Sequence, residues 1–377
     1  MDITPFLKLM AEKEASDLFF SVGAPPSIKI KGATLPLSEK ILQPGEVKKL
    51  AYTIISNIQQ AEFEGQMELN FAINLDGVGR YRVNLYRQRG EVSMVIRYIK
   101  SKIPKLEELN LPPVLKKLVM APRGLILVVG ATGSGKSTTL ASMIDYRNEQ
   151  KSGHILTIED PVEFVYEHKK AVVDQREVGL DTLSYTNALK NAMREAPDVI
   201  LIGEIRDKET MQHAISYAET GHLCLSTLHA NNANQAIDRI INFFPDSAQH
   251  QLLIDLSLNL KAVISQRLLP TTDNKLVPAM EILIQSAYIS SLIEKREIEE
   301  IKEAIEKSRE EGMQTFDQSL YDLYKQGKIT KELALQHADS LNNLSIKINL
   351  EEGGEKTAEG DALNLQSMDR EDEWRKL

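Results

Sequence analysis

The octapeptide Gly130-Ala131-Thr132-Gly133-Ser134-Gly135-Lys136-Ser137 constrains this chain more than any other feature. Its glycines at 130 and 135, followed by Lys and Ser, match the phosphate-binding P-loop. Such a loop works only between a strand and a helix, and the flanks supply both. Leu125-Ile126-Leu127-Val128-Val129 is an unbroken apolar run of the kind buried on both faces of a sheet, and Thr138-Thr139-Leu140-Ala141-Ser142-Met143-Ile144 is compatible with a helix. The glycines admit backbone angles at which successive N–H groups converge on phosphate oxygens, and the helix aims its positive end there. Lys136 is expected to reach the β- and γ-phosphates, Ser137 to ligate magnesium, and residues 130–138, through Thr138, to form the cradle. The expected ligands are ATP and Mg2+.

Around this motif, residues 123–285 alternate short apolar strands with longer helical patterns, which predicts an α/β core with a parallel sheet. Two of its strands end in acids. Ile155-Leu156-Thr157-Ile158 runs into Glu159-Asp160-Pro161-Val162-Glu163, and Asp198-Val199-Ile200-Leu201-Ile202-Gly203 runs into Glu204. Open parallel sheets bind ligands at the carboxyl ends of their strands, so these acids are expected to converge on the P-loop. Hydrolysis needs carboxylates that hold the magnesium shell and orient the attacking water. Glu163 and Glu204 are the candidates, with Glu204 standing where many P-loop enzymes place Asp. Asp198 begins its strand and is expected to sit too far away.

A third strand, Leu223–Leu228, carries His222 and His229 at its two ends. At a period of two, positions seven apart face opposite sides, so one histidine is expected near the γ-phosphate and the other at an interface. In Gly79-Arg80-Tyr81-Arg82-Val83-Asn84-Leu85, alternation puts Arg80 and Arg82 on one face and the apolar residues on the other. These two, with Arg97 on the strand Val95–Ile99, are candidate charge-stabilising residues. They precede a segment at 101–122 with Pro104, Pro112, Pro113 and Pro122, which reads as a hinged linker. The arginines are therefore expected to complete the site of an adjacent subunit.

Residues 1–100 suffice for one α+β domain, and residues 286–345 look helical, with Gly312 and Gly327 placed as helix ends. Residues 351–377 hold nine acids and four bases, and the stretch 346–377 is expected to be an acidic, disordered tail. The net charge of −9 speaks against a general nucleic-acid binder. Cys224 is the single cysteine, so no internal disulfide forms, and it is expected to be a buried small residue. No secretory signal or spanning apolar run is visible, which predicts a cytoplasmic protein that meets membranes only through partners.

The whole pattern resembles the type IV pilus retraction ATPases, the PilT and PilU branches of the secretion ATPase superfamily. The resemblance runs from about residue 1 to 345. It is carried by Ser16-Asp17-Leu18 with Gly23-Ala24-Pro25-Pro26, the arginine strand at 79–84 and the P-loop. It extends through an Asp box at 154–164, a Glu-bearing Walker B segment at 198–206, a His box at 221–229 and the block at 312–320. Residues 218–236 look closer to the PilU branch, whereas 287–294, AYISSLIE, departs from the segment that PilT carries there. The resemblance implies a PAS-like N-terminal domain, a RecA-like core, a homo-hexameric ring and a C-terminal helical subdomain. It implies Glu163 as the catalytic carboxylate, Glu204 as the Walker B acid and magnesium partner, His222 and His229 as the His-box pair, and N-domain arginines that contact nucleotide. It also implies a place at the inner membrane beside a pilus platform protein and a principal PilT-like motor. A pilus extension or type II secretion ATPase, and a nucleotide-binding ring adaptor with little turnover, are the alternatives.

Overall fold

The structure is a computed structural model that describes residues 2–354 apart from Lys31, Lys100 and Ser101. Two sheets with separate apolar cores organise it. The first is built from α1 (Thr4–Glu12), β1 (Asp17–Phe20), β2 (Ser27–Ile30), β3 (Ala33–Pro36), α2 (Glu46–Tyr52), α3 (Asn57–Gln66), β4 (Glu68–Leu75), β5 (Gly79–Gln88) and β6 (Glu91–Ile99). Its strand order is β3-β2-β1-β6-β5-β4, and every pairing is antiparallel. Alternation along β5 buries Tyr81, Val83 and Leu85 against Leu7, Phe20 and Phe63, and leaves Arg80 and Arg82 on the opposite face.

The second sheet is preceded by α4 (Val114–Val119) and contains β7 (Gly124–Val129), α5 (Lys136–Gln150), β8 (Gly153–Glu159), β9 (Ala171–Glu177), α6 (Tyr185–Ala192), β10 (Val199–Ile202), α7 (Lys208–Glu219), β11 (Leu223–Leu228), α8 (Ala233–Asn242), α9 (Asp246–Asn259), β12 (Leu260–Pro270) and β13 (Leu276–Ile284). Its order is β13-β12-β7-β11-β10-β8-β9, parallel throughout except for the antiparallel β12–β13 pair. Leu125, Leu127 and Val129 enter the core on one face, and Ile126 and Val128 enter the core on the other. That two-sided burial is why the strands read as unbroken apolar runs. Cys224 lies fully buried in the first of these cores.

Two segments differ from the sequence expectation. The proline-marked stretch at 101–122 is not a free linker from Leu106 onward: Leu106, Leu111, Leu115, Leu118 and Val119 pack into the core beneath α5. Ser142 Oγ donates to Pro104 O, and the buried Arg147 donates to Val119 O and Ala121 O, so α5 holds this stretch down. Prolines mark where the segment turns, but the leucines decide that it is packed.

The second difference lies at the C-terminal end, built from α10 (Ala287–Glu294), α11 (Ile301–Lys307), α12 (Phe316–Lys325), α13 (Lys331–Gln336) and α14 (Leu341–Gly354). Residues 346–354, expected in a disordered tail, continue α14; the remainder of that tail lies outside the described residues. Leu344 and Ile348, four positions apart on one helix face, are buried with Phe316, Leu320 and Tyr321. Ending the chain after Ser345 removes Ile348 from that core and is expected to cost about 2–4 kcal/mol. Ending it after Leu350 gives up the surface pair Lys325–Glu351, which is worth little, and should leave the melting temperature near its full-length value. Thermal denaturation of the two truncations checks both outcomes.

Candidate active site

The P-loop leaves the carboxyl end of β7 and closes on α5, whose N-cap Gly135 has φ 87°. Gly130, at φ 154°, has no space for a side chain: a Cβ there would lie 2.5 Å from Gln266 O and from Ser134 Oγ. Lys136 Nζ donates to Gly130 O and Ala131 O, each over 2.9 Å, so its ammonium lies across the mouth of the loop. Burial lowers its pKa from the ordinary lysine value, while Glu204 and Glu163 act to raise it. Ser134 Oγ is buried with no hydrogen-bond partner among the described residues. An orphaned hydroxyl in a loop of converging amides suits a ligand rich in acceptor oxygens.

The parallel register brings the acidic strand ends to this loop. Ser137 Oγ donates to Glu163 Oε1 over 2.7 Å, joining the first turn of α5 to the segment after β8. Glu204, following β10, has both oxygens engaged: Oε2 accepts from Arg206 Nε at 2.8 Å, and Oε1 lies 3.2 Å from His229 Nε2. Glu163, Glu204, His229, Lys136, Ser137 and Thr138 all line one cleft of about 470 Å³. Asp198 stays at the far end of the sheet, where it accepts from His154 N.

Glu159 lines the same cleft from beneath. Burial pushes its carboxyl up to about 7, with the Glu163 charge adding to the rise and hydrogen bonds from Thr157 and Gln175 opposing it. Because the folded value exceeds the ordinary 4.5, the stability linked to this proton is fully present below that value and is lost as pH rises through about 7. Glu159→Gln removes this titration. Its stability relative to the parent is expected to improve by roughly 1–3 kcal/mol between pH 5 and pH 8, read from melting curves at the two values.

The histidines separate. His229 enters the cleft, whereas His222 sits at the opposite end of β11, roughly 20 Å away at strand rise. There its Nδ1 lies 3.1 Å from Thr220 Oγ1 and 3.2 Å from Tyr217 O. The arginines form a row on the N-terminal sheet. Asp17, Arg97 and Arg82 stand opposite one another on β1, β6 and β5, and Arg97 Nε donates to Asp17 Oδ1 over 2.8 Å. Arg82 Nε lies 3.6 Å from Oε1 of Glu177, a buried carboxylate on β9 of the same chain, with Arg80 also contributing to its electrostatic environment. The other oxygen of Glu177 accepts from Val162 N over 3.2 Å, one residue before Glu163.

A model of the family described as Type II/IV secretion system protein matches residues 54–359. The chain belongs to that family. The type IV pilus ATPase PilU of Pseudomonas aeruginosa is 51% identical over 98% of this chain and 95% of its own length. The type IV pilus retraction ATPase PilT of the same organism is 44% identical over 90% of this chain and 98% of its own. A crystal structure of the pilus retraction motor PilT with bound ADP superimposes with a TM-score of 0.85 at 44% identity, covering 92% of this chain and 99% of that one. As a member of this ATPase family the chain binds nucleotide.

Several side chains beside the cleft escaped the sequence reading. Arg206 lies two residues past Glu204, and its charge beside an acidic strand end was the available signal. Glu177 ends β9 in a polar stretch, where nothing in spacing marks it as buried. Gln266 follows an apolar run on β12, and its contacts depend on strand order, which the sequence does not display.

Proposed function

We propose that this chain is the ATP-hydrolysing subunit of a hexameric motor that retracts type IV pili. In this reading it acts as a PilU-type accessory beside a principal PilT-like motor, engages the inner-membrane platform protein and works at its cytoplasmic face. No helix among the described residues is long and apolar enough to cross a membrane, so contact with the bilayer is assigned to partners. The observation that carries the proposal is the 2.7 Å bond between Ser137 of the P-loop and Glu163, in a cleft shared with Glu204.

Oxygen donors of this kind suit magnesium, which takes one or two protein ligands and leaves its other positions to phosphate and water. Ser137 and Glu204 would hold it, and the ion would neutralise charge on the β- and γ-phosphates. Lys136 binds the same phosphates, Glu163 orients the attacking water, and His229 with Arg206 fixes the direction of Glu204.

Phosphate release by the purified chain, alone and with the principal motor, tests the enzymatic part. Magnesium-dependent turnover is expected, and its absence in both settings would favour the ring adaptor. Cells lacking the protein are expected to twitch poorly while still bearing pili. Bald cells would instead identify an extension motor.

A further inference from the structure

β12 pairs with β7 in a register that sets Ser265 opposite Val129, so the next residue, Gln266, comes level with the start of the P-loop. Gln266 is 4% exposed, and both ends of its carboxamide are used. Nε2 donates to Ser134 O over 2.7 Å, and Oε1 accepts from Thr139 Oγ1, also at 2.7 Å. One side chain thus ties the apex of the loop to the first turn of α5. One glycine of the motif, Gly135, is shaped around this side chain, and another, Gly130, around the backbone carbonyl of the same residue. A Cβ on Gly130 would meet Gln266 O at 2.5 Å, and one on Gly135 would meet Gln266 Nε2 at 2.7 Å.

We infer that Gln266 is a positioning residue that sets the phosphate loop in its nucleotide-binding shape. A trans peptide directs its C=O and N–H in opposite directions. Pinning Ser134 O onto Gln266 therefore turns the N–H of Gly135 away from β12, toward the side on which Gly135 lines the cleft. The chemistry calls for an amide. Glutamate in its ionised form lacks the donor for Ser134, leucine lacks both groups, and asparagine is one methylene short. With Gln266 absent, Ser134 O and the buried Thr139 hydroxyl lose their partners and the loop loses its brace against β12. The role rests on the nucleotide-binding reading of the cleft and adds to it the residue that holds the loop ready.

The test uses the full-length protein, with ATP turnover and binding of a fluorescent ADP analogue as readouts. Gln266→Ala is expected to raise KM for ATP and the analogue's Kd by about tenfold or more, with a smaller fall in kcat. Gln266→Glu keeps the shape and makes the donor conditional on pH. Its binding is expected to approach the parent's at low pH, where the carboxylic acid donates to Ser134 O, and to fall away from it as the acid ionises. A residue that only filled space would show no such divergence. If the alanine variant does not fold, the glutamate profile carries the decision. Parent-like constants for Gln266→Ala, or a Gln266→Glu profile parallel to the parent's, overturn the assignment. A parent protein that binds no analogue overturns the nucleotide reading itself, which is a distinguishable failure.

Discussion

Glu163→Gln is expected to bind ATP about as well as the parent chain and to lose roughly 10²–10⁴ of its turnover. The substitution preserves shape and the acceptor that Ser137 Oγ uses at 2.7 Å. It removes the negative charge that we propose orients the attacking water. In the proposed reading binding depends on the P-loop amides and Lys136, none of which the change touches. Lys136→Ala should behave differently and lose both affinity and turnover, because its ammonium serves the phosphates in the ground state and as charge develops. Equilibrium binding of a labelled nucleotide, measured beside phosphate release, separates the two patterns. A Glu163→Gln protein that turns over at the parental rate would move the catalytic role to another acid of the cleft, with Glu204 first in line.

How much of this site was legible depended on what each residue contacts. Gly130 to Ser137, Glu163 and Glu204 were readable because a loop motif and two acid-tipped strands need only the parallel-sheet rule to bring them together. The positions of the histidines followed a weaker rule. Period-two geometry expected His222 and His229 on opposite sides of the strand, whereas the length of β11 is what parts them, and only the strand direction in the sheet shows which one enters the cleft. Glu177 and Gln266 were invisible for a common reason: each acts on a group distant in sequence, Glu177 on Arg82 of the other sheet and Gln266 on the P-loop beside β12. Gln266 lies 132 residues from the Ser134 carbonyl that it holds. The 101–122 segment and α14 show the opposite error, in which prolines and acids drew attention away from Leu106, Leu115 and Ile348. In both places a few buried apolar side chains outweighed the local turn or charge signal.

Arg82→Ala is expected to fold and bind ATP, yet lose about 10³–10⁵ in rate, equivalent to roughly 4–7 kcal/mol of barrier. Separation of the arginine strand from the P-loop domain argued for action on a neighbouring subunit. The structure seats Arg82 on its own core, 3.6 Å from Glu177. Because Glu177 also holds Val162 N, one carboxylate and one peptide link the arginine to Glu163 within a single chain. We therefore expect the arginine to serve the nucleotide of its own subunit. Mixing Arg82→Ala with Lys136→Ala should then restore nothing at any ratio, since no subunit carries both an intact loop and an intact arginine. Covalently fused pairs make the test two-sided. A pair with both lesions on one half keeps one complete site if the arginine acts within its chain, and should retain activity. A pair with the lesions split between halves should be dead. Action across the subunit boundary predicts the reverse, because the split pair would then join an intact loop to an intact arginine at alternate interfaces. Activity in the split pair, or none in the pair with both lesions together, would overturn the single-chain arrangement.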